Sequence, residues 1–153
     1  MNEELRTARH EAAHAVAGLH YDVPFEWVSI EPGPGTLGST RLGVSRNYHA
    51  IAVFCGPMAE RPWKDFESPL KEDDLVRLYG TDRESVEYLQ RGLSEDINGL
   101  QLDAWALLGN ATVQAQIDRV AQALLERKRL SHAEVVEISR FNERLADPAW
   151  FEP

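Results

Sequence analysis

The stretch RHEAAHAVAGLH, residues 9–20, decides how the rest of the chain is read. It sets His10 and His14 four residues apart, with Glu11 beside the first and His20 six further on. Its setting is helical: Leu5, Ala8, Ala12, Val16 and Leu19 recur at intervals of three and four across residues 3–20. Asn2 can cap the start, Gly18 weakens the last turn, and Pro24 lies just beyond. Side chains four apart on a helix share a face, so two imidazoles placed this way can bind one Zn²⁺ at ~2.0–2.1 Å each. Glu11 falls beside such a metal rather than on it. It is placed to take a proton from water and later pass it to a leaving amine. This is the HExxH pattern of zinc peptidases, in which each of the three residues has its own task. The same trio also arises by chance on a solvated helix face. Against chance stand the helical context and the small residues Ala12, Ala13, Ala15 and Ala17, which permit close packing behind the metal face.

A catalytic zinc usually takes three protein ligands and keeps one position for water. His20 falls in the final slot of the HExxHxxGxxH spacing, but that motif needs a glycine at position 17 to turn the chain out of the helix. Ala17 stands there and Gly18 comes one place late. If the helix continues, ten residues at ~100° each carry His20 well away from the His10/His14 face, leaving it a helix-end histidine near solvent. The other candidates are acids downstream: Glu60, Asp73, Asp74, Asp82, Glu84, Asp96 and Asp103. Spacing alone does not choose among them, because the ligand would come from another element.

Outward from the helix, FEWVSIEP (25–32) is rich in β-branched and aromatic residues and predicts a strand. GPGTLGS follows with three glycines and a proline, and TRLGVS predicts a second strand, giving a hairpin or small sheet. Residues 48–60 read as an apolar helix that Gly56-Pro57 should kink, with Cys55 inside it as a buried small residue. A charged, proline-containing loop over 61–75 leads to a candidate helix at 82–91. Helices are expected at 101–109 and 112–129, the latter with Val113, Ile117, Val120, Leu124 and Leu125 on one face. Ser131-x-x-Glu134 has the form of a capping box and opens a last helix to about Leu145. The expected fold is α+β and mostly α-helical: an HExxH helix of zincin type, a small N-terminal hairpin or sheet, and a C-terminal helical bundle. One domain spans 1–153, with the HExxH helix, sheet and following helix in 1–62, a helical part in 63–147, and a tail over 148–153.

Bulk properties narrow the partners. The 153 residues allow one domain with a real core. Lys plus Arg is 16 and Asp plus Glu is 25, so the formal net charge is 16 − 25 = −9. An acidic chain without a basic block is poorly suited to gripping phosphate backbones, so nucleic acid is not expected as a partner. No apolar run approaches the ~20 residues of a membrane span, and the charged N-terminus lacks the apolar stretch of a signal peptide. A single cysteine makes no internal disulfide. The expectation is a soluble, cytoplasmic protein without a membrane partner.

Four segments, in order, resemble the peptidase domain of the FtsH-type AAA proteases. HEAAHAVAG is similar to that family's HEAGHA segment, with Ala13 where the family usually has glycine. VSIEPGPGTLGST (28–40) shares the I-x-P and LG-x-T of its strand and loop. CGPMAER (55–61) matches its GGRxAEE helix at Gly56, Ala59 and Glu60. VAQALLERKRLSHAEVVEI resembles its A-x-x-LLE-x-E-x-L segment, so the likeness runs from residue 8 to residue 140. The resemblance implies a zinc-dependent metallopeptidase that hydrolyses unfolded or short polypeptides, with His10 and His14 as ligands and Glu11 as general base. It places the third ligand in YGTDRESVEYL at Asp82, where Thr81 replaces the family's Ser-Asn; LKEDDLVRL, with Asp74, is a second alignment, and Asp96 stays open. It also implies that Thr36, Leu37, Gly38, Ser39 and Thr40 form an edge strand to which a substrate adds as a β-strand. The family's ATPase module and membrane anchor have no counterpart here, so a stand-alone peptidase domain is expected. It could act with a partner chain or as a homo-oligomer. Two other readings stay open: a non-catalytic zinc-binding adaptor on the same scaffold, and a metal-free helical domain.

Overall fold

The computed structural model describes residues 2–32, 39–42 and 97–142. The expected helices at 48–60 and 82–91, the loop at 61–75, Cys55 and the tail lie outside them. Helix α1 spans Glu3–His20, as its periodicity predicts. Asn2 caps it, with the Leu5 N–H donating to Asn2 Oδ1 at 2.7 Å. Gly18 does not end the helix. The chain leaves it through Asp22 (φ 55°), with Val23 N–H bonded to Gly18 O and Asp22 N–H to Leu19 O. That is a Schellman termination with aspartate in the left-handed position usually given to glycine.

Strands β1 (Phe25–Ser29) and β2 (Ser39–Leu42) form the expected antiparallel pair, with Val28 opposite Thr40 and an irregularity between Phe25 and Val28. Helix α2 covers Ile97–Leu108 and α3 covers Ala111–Arg127, capped by the Asn110 side chain on Thr112 N–H. Lys128 (φ 67°) then reverses the chain in one residue, and its N–H returns to Leu124 O at 2.8 Å. Strand β3 (Arg129–Ser131) follows and pairs antiparallel with β1, so β1 is central in the order β2-β1-β3. The apolar periodicity predicts a helix to residue 129; instead α3 ends at Arg127 and a strand that was not expected begins at Arg129. Three residues carry no periodicity of their own; Leu130 becomes strand by sitting opposite Val28, and both are fully buried.

Helix α4 (His132–Ser139) opens on the expected capping box. Glu134 N–H donates to Ser131 Oγ at 3.2 Å, and Ser131 N–H to Glu134 Oε1 at 3.0 Å. It ends at Ser139, short of the expected Leu145. Arg140 (φ 57°) takes the left-handed position, Phe141 N–H bonds Val136 O, and Arg140 N–H bonds Glu137 O. This is a second Schellman termination, again without glycine, so nothing in the local sequence announced it.

The described part is thus α+β and mostly helical, with a small antiparallel sheet. Helix α1 lies chiefly against α3 and also packs on the sheet. Val16 of α1, Val28 of β1, Val113, Ile117, Val120 and Leu124 of α3, and Leu130 of β3 form its core. Among the described residues, no helix is long and apolar enough to cross a membrane.

Candidate metal centre

The four alanines around the motif, Ala12, Ala13, Ala15 and Ala17, are all buried. With one-carbon side chains, they let α1 sit deep in the fold, so the motif lies on an embedded helix rather than a solvated one. His14 is 4% exposed and Glu11 6%. His10 is half-buried.

On this face His10 Nε2 and His14 Nε2 stand 3.0 Å apart, their rings edge-to-face with centroids 4.7 Å apart. Two nitrogens each ~2.0–2.1 Å from one zinc at a tetrahedral angle stand about 3.3 Å apart. The pair therefore already holds nearly the separation of two ligands on one ion, with the same ring nitrogen turned inward on each. Without a metal, the contact is a hydrogen bond in which one Nε2 carries the proton. A metal taking both nitrogens requires that imidazole as its Nδ1–H tautomer, so the proton moves to Nδ1 and both Nε2 lone pairs are free to bind. Two imidazole nitrogens at this separation are a donor pair of the kind zinc takes.

Glu11 follows His10 by ~100° around the helix axis. A carboxylate out of bulk solvent is costly unless it has polar or cationic company. Among the described residues, no third His, Cys, Asp or Glu joins the histidine pair as a metal-binding group. Asp82, Asp74 and Asp96 lie outside the described residues, as do Thr36, Leu37 and Gly38. Asp103 is exposed on α2.

His20, expected near solvent, is half-buried and engaged elsewhere. Its Nε2 donates to Gln116 Oε1 at 2.7 Å, and its ring stands edge-to-face on Phe141, 5.1 Å between centroids. Gln116 is fully buried and reaches on to Arg140 O. That amide was not singled out in the sequence. Its signal was there: residue 116 lies three after Val113, within the apolar stripe of α3, where a polar side chain needs a partner.

Ser39 and Thr40 lie on β2, which pairs with β1 on one side and occupies an edge of the described sheet. Helix α1 packs against both strands of this hairpin, so the edge and the motif helix are neighbours. In comparisons with known proteins, the chain matches no family model, and no curated protein matches it.

Proposed function

We propose that the chain is a zinc-dependent metallopeptidase acting on unfolded or short polypeptides. The observation that carries this reading is the 3.0 Å approach of His10 Nε2 and His14 Nε2 on a buried helix that also carries Glu11. His10 and His14 would hold the ion through Nε2, and Asp82, which the family resemblance points to, is the proposed third ligand. Zinc, when bound, acidifies water and polarises a carbonyl. Glu11 accepts the proton of the attacking water and returns it to the leaving amine as the C–N bond breaks. The β2 strand, with Ser39 and Thr40 at an edge of the described sheet, is where an extended substrate would add as a further strand, a mode that reads chain shape more than side-chain identity. Thr36, Leu37 and Gly38 belong to the same proposed substrate-binding segment.

The intact Glu11 favours chemistry over a purely structural ion, since a structural site needs no base. Glu11→Gln keeps the shape and removes the basicity. The expected result is loss of casein cleavage with zinc retained. Cleavage at the wild-type rate would overturn the assignment of Glu11.

A further inference from the structure

Helix α1 is fixed to α3 by polar contacts along one line. Arg9, immediately before the first histidine, donates from Nη1 to Asp118 Oδ1 and from Nη2 to Gln114 Oε1 (2.9 Å). Gln114 in turn donates to Leu108 O at the end of α2, at 2.6 Å. Eleven residues along α1, His20 donates to Gln116 on the same partner helix. Eleven steps of ~100° return to within about 20°, so Arg9 and His20 lie on one stripe of α1. Between them on that stripe are Ala13 and Val16, both fully buried.

Alanine presents shallow ridges, and a helix packed through small residues has little side-chain relief to set its rotation. A planar guanidinium held by two acceptors one turn apart does set it. The consequence reaches the motif, which lies about 100–200° round from Arg9. At the ~5–6 Å radius of helix side chains, a rotation of about 10° displaces a ligand atom by roughly 1 Å. Metal bonds tolerate about 0.2 Å. His10 and His14 would move together, so the damage falls on their alignment with a ligand from another element.

We infer that Arg9, with Asp118 and Gln114, is a positioning residue: its fork on α3 fixes the rotation of α1 and so aims the two histidines at the third ligand. The inference rests on the zinc reading above. The Arg9 side chain is 16% exposed and that of Asp118 62%, and an ion pair with so exposed a partner contributes little to stability.

The test uses the full chain with Zn²⁺ and Co²⁺. Arg9→Met and the milder Asp118→Asn are compared with Arg127→Met, which breaks the Arg127–Glu134 ion pair, a contact that does not involve α1. Zinc affinity is read by chelator competition, ligand geometry by the Co²⁺ visible spectrum, and folding by thermal midpoint. Arg9→Met should weaken zinc about tenfold, the lower end of what supporting residues contribute. It should also change the Co²⁺ bands while shifting the midpoint little; Asp118→Asn should act in the same direction and Arg127→Met on neither metal readout. Unchanged affinity and spectrum in both Arg9→Met and Asp118→Asn would overturn the inference and leave the zinc reading intact. Should Arg9→Met not fold, Asp118→Asn decides alone. A wild type that takes up no zinc would remove the zinc reading, and the inference with it.

Discussion

His14 and Glu11 are both nearly buried on the same helix, yet replacing them should have opposite consequences for the metal. His14→Ala removes one of the two Nε2 donors that stand 3.0 Å apart, and zinc should be lost with it. Glu11→Gln should leave the metal and end turnover, a loss read by peptide hydrolysis beside elemental analysis. Among the described residues Gln116 is a polar side chain whose removal should be costly in folding, because it is fully buried and bonded to both His20 and Arg140 O. Gln116→Leu strands a half-buried histidine and should destabilise the fold by about 1–3 kcal/mol in urea denaturation. The histidine pair was legible in the sequence because a spacing of four is a local fact about helices. The partners of Arg9 were not, since Gln114 and Asp118 lie 105 and 109 residues further along.

Caps and stops show how far local chemistry carries an element. The start of α1 at Asn2 and the Ser131/Glu134 box at α4 were readable, because each is satisfied within four residues. The end of α1 at His20 was also expected, although its left-handed Asp22 was not; the end of α4 was missed, because Arg140 takes the left-handed geometry that sequence rules reserve for glycine. Strand β3 was invisible for the complementary reason, as its identity comes from Trp27–Ser29 across the sheet. Ser131→Ala should cost about 1 kcal/mol by removing the cap. Glu134 is held below its ordinary carboxylate value, first by the Ser131 backbone N–H, then by the Ser131 hydroxyl, with Arg127 adding to it. A depressed carboxylate favours the fold above its unfolded value of about 4.3 and loses that contribution as pH falls through the lower folded value. The stability gap between wild type and Glu134→Gln should therefore be present at neutral pH and close in acid, as followed by thermal melts.

At the scale of the molecule, the small sheet, α1 and α3 share one core through Val16, Val28, Ile117, Val120 and Leu130. Leu130→Ala, at the point where β3 enters that core, should cost about 2–5 kcal/mol. The α+β, mostly helical class was legible because the longest periodic segments, α1 and α3, are the two helices that pack together. If zinc binds only the folded chain, a free concentration a hundredfold above the dissociation constant adds about 2.7 kcal/mol. For a chain of this size, that corresponds to roughly 5–10 °C in thermal midpoint, reversed by a chelator.

The measurement that bears most directly on the proposed centre is zinc per chain by elemental mass spectrometry, for wild type beside His14→Ala and Asp82→Ala. The expected result is about one zinc in the wild type and close to none in His14→Ala, with Asp82→Ala far below the wild type. A full zinc in Asp82→Ala alone would move the third ligand and leave the histidine pair standing. A wild type that holds no zinc after reconstitution, or a His14→Ala protein that holds as much as wild type, would contradict the account.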